Sequence, residues 1–376
     1  MPFGWHVHLV AGENADRDVV LPPPIFSQAF LGFTSMPLKI PTTTNIDAIN
    51  AKLHARRSRF YEKDRLARLC ELPDFEAFSS LLFPGEEIKD HRLLQKRLVE
   101  NHIYDLLWVV NYLGGREFRI FLWLLQRYQL ENLKIVFRGF YSRRDPAEII
   151  PFLVNVPDAL GLPVEKMVQA ESIEEFRDAI PQPSLRRMLR APISLFGRKS
   201  KPFYFEAALD KLFYTEMLKL LNGRQATSKR SRFATVNVDA TIYVIMVIVR
   251  AKHNYGASFD DIAPVIDIGH GLPSGLARAV YAAESMAAVV EALPAGLRRY
   301  ARTPVETIDE LERALLCCLY ERATFAFSSM SLDLNTTFAF YYLKRIELLN
   351  LVRLSEAHHY RVGPEEMKSI MIPPVE

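Results

Sequence analysis

The 376-residue chain has only three cysteines, Cys70, Cys317 and Cys318. An odd number with no framework spacing argues against a secreted disulfide scaffold. Cys317 and Cys318 stand side by side in the helical apolar stretch "RALLCCLYE", where free cysteine behaves as a small buried hydrophobe. Long apolar runs are missing too. The most apolar stretch, "VNVDATIYVIMVIVRAK", is uninterrupted only from Ile242 to Val249. That is far short of the ~18–20 residues that cross a bilayer, so it reads as a buried element. The first residues hold no basic segment followed by an apolar one, the mark of a secretory leader. Neither sign of charge dominates: 47 Lys and Arg against 44 Asp and Glu leave a net charge of +3. Whole-chain electrostatics therefore imply no nucleic-acid partner. A soluble, intracellular or membrane-peripheral protein is expected.

Catalytic signatures are scarce. There is no phosphate loop, no dinucleotide fingerprint, no nucleophile elbow and no zinc-binding pattern of paired histidines or cysteines. "WHVH" places His6 and His8 together without further ligands. "GHGLPSG" (269–275) has glycines that allow close backbone approach, but between two helical patterns it reads as a loop or helix start. The expectation is no catalytic residue, no metal, no cofactor and no small-molecule substrate.

What is present is a pattern. Hydrophobic residues make up 49% and charged residues 24%, enough for a sizeable core, and the length suggests two to four structural units. Residues 1–44 stand apart, with "LPPPIF" and "MPLKIPTTT". They read as a Pro-rich extension, or as a mis-set translation start with Met36 the true one. From Asn45 onward apolar residues recur at three- and four-residue steps, as at Ile46, Ile49 and Leu53, which predicts an all-α fold.

Three signatures recur in one order. The first is a short helix whose apolar residues fall at Phe75, Phe78 and Leu82, at Ile173, Phe176 and Ile180, and at Met286, Val289 and Leu293. Ser172 and Glu175 have capping-box spacing, and Ser285 is a second helix-start residue. The second comprises "QKRLVENHIY", "EAALDKLFY" and "ERALLCCLY", anchored at Gln95, Glu206 and Glu312 (206 − 95 = 111 and 312 − 206 = 106). The third comprises "QLENLKI", "DATIYVI" and "ELLNLVR", starting at Gln129, Asp239 and Glu347, 34, 33 and 35 residues after the second. Ile242 stands where the other copies have Asn132 and Asn350. A helical unit of about 110 residues is thus repeated three times, over 45–150, 151–258 and 259–376. Such units stack in a line or close about a pseudo-threefold axis.

Glutamine at 129 cannot act as a general acid or base, so Asp239 and Glu347 read as ion-pairing or capping carboxylates rather than a catalytic set. His253, His358 and His359 read as surface residues near helix C-termini. The basic runs 185–202 and 222–232 read first as a solvated face, then as a membrane or acidic-partner contact; they lack the aromatics that stack on bases.

Four of these stretches resemble the C-subunit family of the A/V-type rotary ATPases, which is related to the d subunit of the eukaryotic vacuolar enzyme. "INAKLHARRSRF" is similar to its N-terminal "NARV-R" helix, with Lys52 and Leu53 where the family often has Arg and Val. "YQLENLKIVFRG" resembles "D-x-x-N-L-K-x-x-x-R", with Gln129 for Asp, and "FEAALDKLFY" resembles "E-x-x-L-D-x-x-Y-Y". "LKRIELLNLVR" resembles "K-E-x-E-x-x-N-L-R", diluted by Ile346 and Leu348. The resemblance covers about 45–370. It implies a funnel of three helical domains about a pseudo-threefold axis, lying peripherally on the cytoplasmic face of a membrane. It implies as partners the D and F subunits of the central stalk and the proteolipid rotor ring, and a non-catalytic role in ATP-linked proton or sodium transport. The alternative is a helical-repeat scaffold that binds some other partner helix.

Overall fold

A computed structural model describes residues 44–156, 161–221, 234–269, 275–301, 304–329 and 334–376. The extension with His6, His8 and Met36, the basic run 222–232 and the centre of "GHGLPSG" lie outside these residues. Among the described residues the chain is helical and contains no strand, as the three- and four-residue apolar steps predict.

The chain opens with α1 (Ile46–Arg57), α2 (Asp64–Cys70), α3 (Phe75–Leu82), α4 (His91–Val110) and α5 (Gly115–Tyr141). Short helices follow: α6 (Pro146–Ile149), α7 (Val164–Val168), α8 (Ile173–Asp178), α9 (Pro183–Met188) and α10 (Arg190–Lys199). Two long ones come next, α11 (Pro202–Leu221) and α12 (Ala234–Tyr255). Then come α13 (Phe259–Ile266), α14 (Leu276–Ala282), α15 (Met286–Ala292) and α16 (Ala295–Arg298). The chain closes with α17 (Ile308–Ser328), α18 (Asn335–His359) and α19 (Pro364–Ile370).

Helix starts follow local chemistry. Phe75, Ile173 and Met286, matched by spacing alone, are the first residues of α3, α8 and α15. Each is preceded by a capping side chain. Asp74 accepts from the Ala77 N–H, Ser172 from Glu175 and Ser285 from Ala288, at 2.8, 3.2 and 3.2 Å. The Glu175 carboxylate does not complete the expected box; it takes the Glu171 N–H instead, at 2.9 Å. One turn on, Phe78, Phe176 and Val289 are buried. At the N-terminus of α17 the box is complete, through Thr307 and Glu310.

Long helices form the core. Every side chain from Ile242 to Val249 on α12 is buried, because α13, α14, α17 and α18 all pack against this helix. A helix apolar all round needs neighbours all round. Among the described residues no helix is long and apolar enough to cross a membrane. Gly139 on α5 permits a close crossing: a Cβ there would lie 2.8 Å from Ile149 Cγ1. Gly275, at φ +79°, is the N-cap of α14.

Successive helices pack together, α17 on α18 most extensively, but other pairings join separate parts of the chain. α5 packs on α11, α12 on α17, and α18 on α4. The last pairing joins the end of the described chain to its beginning. The short helices follow the same rule: α7 lies on α5 and α14 on α12, while α1 and α3, from the start of the chain, lie on α18.

Candidate functional site

Polar side chains concentrate along the seams between long helices. In the α5–α11 seam, successive residues one turn apart on α5, Lys134 and Arg138, face Asp210 and Glu206, one turn apart on α11. Arg138 forks onto Glu206, Nε to Oε1 at 2.6 Å and Nη2 to Oε2 at 2.8 Å. Lys134 Nζ donates to Asp210 Oδ1 at 2.5 Å. Rising numbers on one helix meet falling numbers on the other, so the pair is antiparallel; a four-residue step brings each charge to the seam. Burial alone would lower the Lys134 ammonium, but Asp210 and Glu131 hold it above the ordinary lysine range. Burial also pushes the Asp210 carboxyl up.

The other anchors sit in the other seams. Glu312 on α17 accepts from Arg250 on α12 at 2.8 Å. Gln95 on α4 donates to Ser355 and Glu356 on α18, at 3.2 and 3.1 Å, across 260 and 261 residues of chain. Thus Gln95, Glu206 and Glu312, matched by spacing, each bond to the long helix of another segment.

Gln129, Asp239 and Glu347 are all buried, but they do different things. Asp239 lies where α5, α11, α12 and α18 meet. It accepts from Arg345 at 3.1 Å, from the Tyr214 hydroxyl at 3.1 Å and from the Tyr342 hydroxyl at 3.4 Å. Arg127 Nη1 lies 3.9 Å from it. Burial opposes charge on Arg127, yet Tyr214, Tyr341 and Asp239 hold it well above its ordinary range. Burial and Arg127 oppose charge on Arg345, and Asp239 offsets them. Two buried guanidinium groups therefore share one carboxylate and bind helices from opposite parts of the chain. Glu347 instead accepts the Tyr61 N–H at 2.7 Å and pairs with Lys344 at 2.8 Å. Both carboxylates are ion-paired, as their sequence context suggests. A cleft of about 280 Å³ beside Glu347 is lined by Glu62, Asp64, Asn350 and the C-terminal Pro373–Glu376.

Asn132 and Asn350 act alike. Asn132 donates to the Val154 carbonyl at 2.8 Å and accepts its N–H at 3.0 Å, while Asn350 does the same to Ile372 at 2.8 and 2.9 Å. Each clamp spans 22 residues. Where Ile242 replaces Asn, the neighbouring Tyr243 hydroxyl reaches the Val265 carbonyl at 2.8 Å, also 22 residues on. Spacing does not reveal these clamps; the recurrence of Asn at one repeat position is their only trace in the sequence.

His253 and His359 are exposed at helix C-termini as expected, but His358 is not. It is buried, stacked on Phe78, and its Nε2 lies 2.9 Å from the Leu69 carbonyl. The reading of His358 as a surface residue is corrected by the packing of α3 onto α18. Cys70 and Cys318 are buried and Cys317 half-buried; burial raises the Cys70 and Cys317 thiols to about 11. The run 185–202 forms α9 and α10, with its basic residues mostly outward.

The family model described as "ATP synthase (C/AC39) subunit" matches residues 49–370. The chain belongs to that family. As a family member it shares 22% identity with the C subunit of the A-type ATP synthase of Haloquadratum walsbyi over 307 residues, 74% of this chain and 82% of the relative. The proteins of the same name from Haloferax volcanii and Halorubrum lacusprofundi are each 22% identical, over 208 and 206 residues. Those two matches cover 52% of this chain and 59% of each relative. In this member of the C/AC39 family, the stretches "YQLENLKIVFRG" and "FEAALDKLFY" are joined across the α5–α11 seam through Lys134–Asp210 and Arg138–Glu206.

Proposed function

We propose that this chain is the central-rotor socket of a V-type rotary ATPase or ATP synthase. In this reading it joins the D and F subunits of the central stalk to the membrane proteolipid ring. It lies peripherally on the cytoplasmic face and carries torque without performing chemistry. The units 45–150, 151–258 and 259–376 are arranged as a funnel about a pseudo-threefold axis.

The observation that carries this reading, beside family membership, is the closure of α4 onto α18. With the α5–α11 and α12–α17 seams it makes three contacts of similar kind, each anchored at a repeat-matched residue. A torque-bearing collar must resist being opened, and buried charge pairs and close packing resist relative sliding of helices. The experiment is co-purification from detergent extract. The tagged chain should bring down the central-stalk coiled coil and the proteolipid ring. Recovery of neither would overturn the reading.

A further inference from the structure

One helical face carries charge that the described structure does not answer. From Ala179 to Phe205 the chain contains no Asp or Glu, but it contains Arg186, Arg187, Arg190, Arg198, Lys199 and Lys201. The apolar side of this stretch, Leu185, Leu189, Ile193 and Leu195, is buried, and α10 packs on α11. Arg187, Arg190, Arg198 and Lys201 are exposed. Steps of three and four residues place the arginines on one side of α9 and α10.

Among the described residues none of these four makes an ion pair, whereas Lys199 is tied to Asp261. The acids that flank the stretch are occupied: Arg177 holds Asp178, and Glu206 is buried under Arg138. Some surface arginines elsewhere find partners, as Arg97 does in Glu86, Arg144 in Glu148 and Arg298 in Glu291, while among the described residues Arg59 and Arg361 stand singly.

Arg190 and Arg198 are eight residues apart on α10, about 12 Å along its axis, and Arg187 lies on α9 beyond Leu189. Between them the exposed residues Ala191, Ser194 and Gly197 are small, so the surface is flat. A flat, extended cationic face matches an anionic plane better than a single small anion. We infer that the outer face of α9 and α10 docks on anionic phospholipid headgroups. The inference builds on the membrane-peripheral reading above. With no large apolar side chain on the face, the attraction is electrostatic and is screened by salt.

The test sediments the full chain with vesicles of phosphatidylcholine alone, or mixed with phosphatidylglycerol, at low and high salt. Binding should require phosphatidylglycerol and be lost at high salt. Replacing Arg187, Arg190, Arg198 and Lys201 together by Ala should lower the partition by on the order of a thousandfold, from the usual contribution of each basic residue near such a surface. Replacing Arg59, Lys89, Lys166 and Arg299 by Ala removes equal charge from exposed sites elsewhere and should keep most of the binding. Unchanged helical circular dichroism in both variants keeps the comparison one of surfaces.

Equal losses in the two variants would overturn the inference. So would equal binding to neutral vesicles, or binding to a polyglutamate helix but not to anionic vesicles. The vesicles contain neither stalk nor ring, so failure here leaves the socket reading standing. Conversely, vesicle binding without ring or stalk capture would fail the socket reading alone.

Discussion

Arg138 and Glu206 meet as a two-bonded fork across the α5–α11 seam, 68 residues apart in the chain. Arg138 keeps part of its surface in water while Glu206 is almost wholly buried. The pair is therefore unequal. Glu206→Ala should mainly remove a tie, whereas Arg138→Ala strands a buried carboxylate. We expect the arginine variant to cost more, about 3 kcal/mol or above, with a coupling of at least about 1 kcal/mol in the double-mutant cycle. Urea unfolding of the four proteins checks this. Equal single costs that simply add would contradict it.

Asp239 bonds to Arg345, and Arg127 lies beside it. Asp239→Ala leaves two buried cations with less to face, a loss of about 3–5 kcal/mol. Asp239→Asn keeps the acceptor oxygen but not the charge, and should fall between that variant and the native chain. Shifts in the urea midpoint give the order.

The Asn350 clamp predicts a local effect. Asn350→Ala frees the N–H and carbonyl of Ile372, which are buried, at a cost of about 1–3 kcal/mol for each group left unsatisfied. Hydrogen exchange should quicken at Ile372 and its neighbours while α5 is unaffected. Asn132→Ala should do the reverse, quickening Val154. A uniform change across the chain would rule out a local clamp.

Two buried histidines set a pH dependence. Burial, helped by Lys344 and Arg345, holds His102 well below the ordinary histidine value, and burial lowers His358. Below about 6.5 the unfolded chain takes up protons that the folded one refuses. Stability is therefore full above that pH and falls as pH drops from it towards the folded values. His102→Leu should flatten the slope of unfolding midpoint against pH between about 7 and 5. An unchanged slope would exclude His102 as a source.

Much of the fold is legible in local spacing. Helix starts at Phe75, Ile173 and Met286 depend on a cap and one turn of chain, and both are written side by side. The anchors Gln95, Glu206 and Glu312 can be matched by spacing, but not their partners. Gln95 bonds across 261 residues to Glu356, and no local period encodes such a pairing. The burial of His358 escapes local reading for the same reason, since its cover comes from Leu69 and Phe78 at the other end of the chain. Copy two conceals its tie because the Tyr243 hydroxyl, one position along, reaches the Val265 carbonyl but makes only the donor half of what the Asn132 amide does.

Coupling is the property that a rotor socket must confer. Membrane vesicles bearing the rotary complex, with and without this chain, should be compared for ATP-driven ion uptake alongside ATP hydrolysis. The socket reading predicts that vesicles lacking the chain hydrolyse ATP without ion uptake, and that adding the purified chain restores uptake. Full ion uptake in vesicles lacking the chain would contradict it.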